Sequence, residues 1–584
     1  MGKGKYMEAQ GISVKTPWYS SYEGVREHLE YPDYSVYSLL EESAKKHAKL
    51  TSYDYFGTTV TYKEFLVQIE EAARAFLTLG VKAGDIVSIC MPNTPEALIS
   101  FYALSKIGAV ANMIHPLSGE NEIKYYLNLT ESEVMVCIDL ALSKICHIMA
   151  DTKLKQVIQV SVADSMPITM SVGYHVTKGR KIKIEKCEIA LKWSEFIKSG
   201  RHYEKDTFRE GGPDETAVIL YSGGTSGFPK GIELTNRNFN ALAIQSFEAC
   251  HTLKEGDRVL SIMPVFHGFG LGICIHTVQY FGGNAIILPQ FDASSFDKLL
   301  TKNRPNIIAG VPSLFEAMMK NKRMQGVDLS FLHCVISGGD SLSQSLKEKV
   351  DAFLKEHGAD VQVREGYGLT ECVTGSCMIP SHKYKPGSIG IPYPDTYYKI
   401  INPETLEELP YGEDGEIVIS GPTVMKGYLK EESETAETLR VHADGLTWLH
   451  TGDLGCMDEE GFIYFKQRIK KMIITSGYNV YPQYVENVID QMPEVLLSCV
   501  IGIDHELKGQ VAKAFIVLKD GVEETPELRR AIRDHCEKNL ARYSWPYEYE
   551  FRKELPKTLV GKVAFQELIN EEKAKAAARE ADNA

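Results

Sequence analysis

The sequence predicts an α/β fold: a large N-terminal domain of parallel-stranded αβα sheets with a small β-rich subdomain, then a small α+β domain at the C-terminus. Three features predict it. Apolar runs alternate with helical segments from Val87 onward, the texture changes to short strands and turns near Pro392, and the elements shorten again after Lys470. At 584 residues the chain also exceeds what one hydrophobic core serves, so at least two domains are expected.

The elements follow in order. VSICMP precedes the helical NTPEALISFYALSKIGA, VANMIHP precedes ENEIKYYLN, and EVMVCID follows. TAVILY reads as a strand and NRNFNALAIQSFEA as a helix with Asn236 at its N-cap. The rhythm resumes with AIIL, FDKLLTKN, NIIAGVP, SLFEAMMKN, CVISGG, LKEKVDAFLKEHG and VQVREGYG. Near-continuous β-branched runs between helices imply parallel sheets covered on both faces. Past Pro392, segments such as GEDGEIVISGP read as short strands and turns. Beyond Lys470 a helix in PQYVENVID, strands in LLSCVIGI and VAKAFIVL, and the helix PELRRAIRDHCEKNL form the last unit. EEKAKAAAREADNA reads as a solvated helix or a frayed end.

Composition is that of a soluble globular protein, 44% hydrophobic and 24% charged. A net charge of −14 argues against general affinity for nucleic acid or anionic membranes, while leaving room for a local basic pocket. The twelve cysteines show no zinc or thioredoxin spacing, which fits reduced thiols in a cytoplasmic protein. MGKGKYMEAQGIS lacks the apolar core of a signal peptide, and Tyr6 stands where a myristoylation signal needs Ser or Thr. The stretch from Leu271 to Leu288 is interrupted by His276, Gln279 and Asn284, so no membrane span is expected there.

Five stretches carry polar chemistry. YSGGTSGFPKGIELT, Tyr221 to Thr235, puts four glycines, four Ser and Thr hydroxyls and Lys230 between a strand and a helix, an arrangement that aims backbone N–H groups at an anion. Pro229 and Gly231 around Lys230 exclude the Walker A pattern. In REGYGLTE, Gly366 and Gly368 flank Tyr367, whose ring could stack on a purine, and Thr370 and Glu371 are hard oxygen ligands of the magnesium type. Asp453 in WLHTGDLG could accept hydrogen bonds from a ribose diol. QRIKKMIITSGYNVYP joins a polar run to Gly477, and LPKTLVGKV carries Lys562. Each also has an ordinary reading: a glycine turn, a strand-end tyrosine, a Gly-Asp turn, a basic linker, a surface lysine.

Taken together and in order, these stretches resemble the adenylate-forming superfamily of acyl-CoA synthetases, luciferases and peptide-synthetase adenylation domains. The resemblance runs from Trp18 to Lys562 and includes SGGTSGFPKG, PVFHGFG, AGVPSLF, ISGGDSL, EGYGLTE, GEIVISGPTVMKGY, LHTGDLG, QRIKKMIITSGYNVYP and PKTLVGKV. PWYSSYEGVREHLEYPDYS and KGRKIKIEKCEIALKWSEF further resemble bacterial long-chain fatty-acid CoA ligases.

The resemblance implies an ATP- and Mg²⁺-dependent acyl-CoA synthetase. A carboxylic acid and ATP would give an acyl-adenylate and pyrophosphate, and coenzyme A would then take the acyl group and release AMP. The substrate would be a medium- or long-chain fatty acid. Ser222, Gly223, Gly224, Thr225, Ser226, Gly227 and Lys230 would hold the β- and γ-phosphates. Ser337, Gly338, Gly339 and Asp340 would border the adenine, with Glu365, Gly366, Tyr367 and Gly368 beside it. Thr370 would meet the α-phosphate, Glu371 the magnesium, and Asp453 the ribose, with Arg468 near. His267 would stand beside the acyl carboxylate, with Val311 and Val373 at the acyl pocket. Residues 1–469 would bind nucleotide and acyl group, and residues 470–584 would form a mobile lid hinged at Lys470. One lid orientation would present Lys562, the other Gly477 and Tyr478 along the path of coenzyme A. A carboxylate and a triphosphate repel, so the site must supply positive charge and fixed dipoles, as Lys230 and Lys562 would.

Three departures stand out. Glu365 brings a charge where Asn or Gln is frequent, Lys471 replaces the usual Asp after the hinge residue, and Ser544 and Trp545 replace a more basic pattern. Two rival readings are an acyl-adenylating enzyme that loads a carrier protein and a nucleotide-binding protein that has lost catalysis.

Overall fold

The computed structural model describes residues 14–177, 179, 187–203, 208–222, 229–475, 478–505, 508–558 and 563–583. Helix Pro95–Lys106 illustrates how the sequence builds it. Thr94 caps the first turn by accepting the Ala97 N–H, Pro95 fits where no N–H is needed, and every residue of the helix is buried. A helix that is largely apolar all round belongs between layers.

Among the described residues there are four sheets. The first has nine strands, and its six central ones run parallel in the order Val363–Tyr367, Cys334–Ser337, Ile307–Gly310, Arg258–Ser261, Asn284–Ile287 and Thr51–Tyr55. The second has eight strands, with Thr216–Ser222, Val110–Ile114, Ile86–Cys90, Val134–Ile138, Gln156–Val160 and Ala190–Lys192 parallel. Their nearly continuous burial explains the unbroken apolar runs in the sequence. An antiparallel five-stranded sheet, Tyr397–Ile401 to Ile463–Arg468, forms the β-rich part. The fourth sheet, from Ile473 to Arg552, packs with helices Pro482–Ile489 and Pro526–Asn539 around a core of its own.

Two local expectations change. The residues after the glycine loop form a strand, Lys230–Thr235, antiparallel to Thr216–Ser222, rather than running directly into a helix. The following helix is capped by Thr235, which accepts the Asn238 N–H, and Asn236 is its first helical residue. Its N-terminus is therefore buried and already satisfied, and is not the anion donor that the sequence suggested. The stretch from Glu571 is helical as expected, the end of helix Phe565–Asn583, and its described residues to Ala576 are exposed except half-buried Glu572, which pairs with Lys513 at 2.8 Å; the first turn of the helix docks through buried Leu568.

The apolar stretch after Leu271 is core. It lies in a π-helical segment, Phe269–Thr277, against helix Asn236–Ala249, where a Cβ on Gly272 would stand 2.6 Å from Leu242. Two of its polar residues are paired inside, His276 with Tyr102 and Asn240, and Gln279 with Ser52, while Asn284, at the start of the following strand, is buried with its side-chain oxygen unpartnered among the described residues. Among the described residues no helix is long and apolar enough to cross a membrane.

Candidate active site

A cavity of about 1840 Å³ opens at the carboxyl ends of the parallel strands of the nine-stranded sheet, where α/β sheets generally place their ligands. It is bounded by Ser222, Pro229 and Lys230, by the antiparallel sheet at Asp453 and Arg468, and by Lys557, Thr558 and Val563 of the C-terminal unit.

At one end stand Tyr367 and Asp453. Asp453 follows Gly452, whose φ of +67° bends the long strand Thr447–Met457, and it pairs in register with Arg468. The Tyr367 hydroxyl donates to Asp453 Oδ2 at 2.6 Å, and Arg468 Nε lies 3.4 Å from Oδ1. Among the described residues the buried Oδ1 has no hydrogen-bond donor, which leaves it an acceptor free for a ligand. Burial pushes the Asp453 carboxyl up, against the Arg468 charge and the Tyr367 hydroxyl that pull it down. An acidic oxygen with spare lone pairs beside an aromatic ring suits a sugar diol next to a base.

Gly338, Gly339 and Asp340 continue this wall, along with Glu365, Gly366 and Gly368. Gly368 has no room for a side chain, since a Cβ there would overlap the Thr374 carbonyl. Ser337 closes its strand with its hydroxyl buried and, among the described residues, unpartnered, away from the cavity lining.

Glu365 does not bring the charge that its residue type suggests. Burial raises its carboxyl to about 8, the Leu342 N–H at 3.1 Å offsets only part of this, and Asp340 adds to it. At neutral pH the group is an uncharged acid, closer in character to Gln. Because the folded protein favours the neutral form, its contribution to stability is complete below the ordinary carboxyl range and is lost as pH rises through about 8. Glu365→Gln should therefore gain melting temperature relative to wild type between about pH 5 and pH 8.5. A difference independent of pH would contradict the assignment.

Lys230 opens its strand opposite Ser222. Its ammonium pairs with Glu434 and lies 4.8 Å over the Tyr428 ring, and the Tyr428 hydroxyl donates to Glu371 Oε1 at 3.0 Å. Strand Gly427–Tyr428 pairs with Lys230–Thr235, which brings the four residues together. Tyr428 and Glu434 were not singled out in the sequence, although Tyr428 ends the recognisable run GEIVISGPTVMKGY. Thr370 is buried beside Glu371 at the cavity wall. Among the described residues no three potential ligands cluster as a metal cage. One carboxylate, Glu371, fits a magnesium ion that arrives on phosphates, since such ions take one or two protein carboxylates.

The other arm is apolar. His267 enters it from PVFHGFG, its ring accepting the Phe269 N–H at 3.2 Å. A Cβ on Gly268 would fall 1.7 Å from the Val373 carbonyl oxygen, so glycine is required there. Val373 itself, at φ +66°, is fully buried behind this contact, and Thr374 and Gly375 form the wall in its place. Ile307, Ala309 and Val311 line the cavity in alternation along one strand face, a run of about 13 Å at ~3.3 Å per residue. Cys250, Leu253, Val259 and Phe281 continue the apolar lining.

Lys470 lies in a single 3-10 turn, Ile469–Lys471, between the last strand of the antiparallel sheet and the first strand of the C-terminal one. Lys471 lies 3.7 Å over the Phe565 ring, tying this turn to the final helix. Trp545 donates its indole N–H to Leu540 at 2.9 Å, and Ser544 is buried, so both serve the packing of the C-terminal unit. Gly223, Gly224, Thr225, Ser226, Gly227, Gly477 and Lys562 lie outside the described residues, as do the side chains of Lys470 and Tyr478.

The chain matches the family model for AMP-binding enzymes over residues 40–429, and that for the AMP-binding enzyme C-terminal domain over residues 484–562. A long-chain-fatty-acid–CoA ligase of Bacillus subtilis (strain 168) is 35% identical over 96% of this chain and 99% of that protein. The enzyme of the same name from Escherichia coli O6:H1 is 32% identical over 93% and 95%. The solved structure of an anthranilate CoA ligase in complex with anthranoyl-AMP covers 94% of this chain and 99% of its own at a TM-score of 0.81 and 24% identity, which shows a shared fold.

Proposed function

The chain belongs to the AMP-binding enzyme family, and on that premise we propose that it activates a medium- or long-chain fatty acid with ATP and passes the acyl group to coenzyme A. The observation that carries this reading is one cavity whose lining joins the polar Tyr367–Asp453 and Lys230–Glu371 groups to apolar residues such as Val259, Ile307 and Ala309. A nucleotide fits the first part and an aliphatic chain the second. The name shared by the relatives points to the same substrate class.

In this reading Asp453 and Arg468 hold the ribose, the Tyr367 ring lies beside the adenine, and Gly338 to Asp340 complete its slot. Glu365, neutral at pH 7, can donate as well as accept there. Lys230 exchanges Glu434 for the departing phosphates, with Ser222 and residues 223–227 around them. Thr370 attends the α-phosphate, and His267 and Val311 position the acid. Glu371 would hold Mg²⁺, which when bound neutralises phosphate charge and polarises the phosphorus–oxygen bonds.

Residues 1–469 and 470–584 act as body and lid about Lys470. Thr558 and Val563, which flank the stretch bearing Lys562, line the cavity, which supports the lid orientation that serves the first step. Gly477 and Tyr478 are assigned to the second orientation. The twelve free thiols suit a cytoplasmic setting.

The reading is tested by carboxylate-dependent exchange of pyrophosphate into ATP without coenzyme A. Exchange that needs the fatty acid supports it, and its absence would leave only a nucleotide-binding protein. Transfer from the adenylate to a carrier protein but not to free coenzyme A would favour the rival acceptor. Glu371→Ala should weaken turnover most when magnesium is limiting. Equal loss across a magnesium titration would separate the carboxylate from the metal.

A further inference from the structure

Beside the apolar lining, which includes Cys250 and Ile307, the strand partner of Cys334, the Sγ atoms of Cys250 and Cys334 lie 3.4 Å apart, both buried. Cys250 caps the C-terminus of helix Asn236–Ala249, and Cys334 opens the strand Cys334–Ser337. On that strand Cys334 shares a face with Ile336 and Gly338, two residues that line the cavity, and Cys250 lines it directly. Neither thiol has a part in the proposed adenylation.

Arg364 completes the group. Its side chain is buried and fixed by three bonds: Nη1 to Cys250 Sγ at 3.3 Å, Nε to the Ile379 carbonyl at 2.7 Å, and Nη2 to the Ala249 carbonyl at 3.3 Å. Among the described residues no carboxylate pairs with it. A buried guanidinium calls for an anionic partner, and among the described residues the one acidic atom it bonds is the Cys250 sulfur. The hydrogen bond to Cys334 and then the Arg364 charge, working against burial, hold the Cys250 thiol below its ordinary range, while the same contact and burial hold Cys334 above it. Thiolates, not thiols, react with peroxides.

We propose that Cys250 and Cys334 are a peroxide-sensitive pair, Cys250 the attacking thiolate and Cys334 the resolving thiol, whose disulfide reshapes the floor of the acyl cavity. The Cys250 sulfur attacks one oxygen of hydrogen peroxide; an S–O bond forms, the O–O bond breaks, and hydroxide leaves. The Cys334 thiol gives up its proton, its sulfur bonds to the Cys250 sulfur, and the S–O bond breaks with loss of water. Two electrons pass from the sulfurs to the peroxide, giving one disulfide, one water and one hydroxide. The sulfurs must close from 3.4 Å to about 2.05 Å, and Arg364 loses its counter-charge. Both changes fall on the wall beside Val259 and Ile307. The effect on substrate choice rests on the fatty-acid reading above, whereas the thiol chemistry does not.

The test treats the reduced full-length protein with hydrogen peroxide, blocks free thiols, and maps cross-linked peptides by mass spectrometry. A Cys250–Cys334 disulfide reversible by dithiothreitol is expected. Cys334→Ala should stop at a sulfenic acid on Cys250 that dimedone labels, and Cys250→Ser should form neither. Should Cys250→Ser fail to fold, the dimedone result in Cys334→Ala still decides the attacking thiol. The oxidised enzyme should lose turnover of long acids several-fold more than that of short ones, and recover it on reduction. Oxidation of the less buried Cys146, Cys187 or Cys456 with no Cys250–Cys334 link would overturn the pairing. A link with equal loss on all acids would overturn its place at the cavity floor.

Discussion

Lys562→Ala should suppress acyl-adenylate formation by roughly 10²–10³ or more while leaving the transfer of a ready-made acyl-adenylate to coenzyme A near its normal rate. The difference follows from where charge develops. In the first step a carboxylate approaches a triphosphate, and a preorganised ammonium stabilises the transition state more than the ground state. In the second step pyrophosphate has gone and a thiol attacks a carbonyl, so that charge has no equivalent task. If the lid swings between steps, the lysine is also withdrawn from the site. The check is the two half-reactions measured separately on the same preparation. Equal loss in both would assign Lys562 to the fold or hinge, and the rotating lid would have to be given up.

Asp453→Ala should raise the KM for ATP by about 10- to 100-fold, the scale of losing charge-assisted hydrogen bonds worth about 1.5–3 kcal/mol. The buried Oδ1, without a donor of its own, is the atom expected to meet a ribose hydroxyl. Removing the carboxylate also strands the Tyr367 hydroxyl and Arg468, which costs folding stability, so melting temperature must be followed alongside. Tyr367→Phe separates the effects, since it keeps the ring and the carboxylate and removes only the bond between them. It should change the KM for ATP far less. A fall in kcat with unchanged KM for ATP in Asp453→Ala would place the carboxylate outside the ribose site.

The layered architecture was legible because parallel strands buried on both faces leave continuous apolar runs, and helix FDKLLTKN coincides with Phe296–Asn303. The hairpin partner Lys230–Thr235 was not. KGIELT is short and follows a glycine loop, so nothing local separates it from loop, and its strand character comes from pairing with Thr216–Ser222 and Gly427–Tyr428. Asp453, Tyr367, Lys230 and Glu371 could be named from sequence, but what they touch could not. Lys230 and Glu434 are 204 residues apart, and Cys250 and Cys334 are 84 apart. The protonation of Glu365 was hidden for a different reason. Residue type gives a charge, and only burial beside Asp340 removes it.

The most direct measurement is the rate of AMP release with ATP and coenzyme A across carboxylic acids from acetate to palmitate, with aromatic and amino acids included. The proposed reaction requires AMP and acyl-CoA to appear together, fastest with an aliphatic acid of medium or long chain. Fastest release with an amino acid or acetate, or no release with any acid, would contradict it.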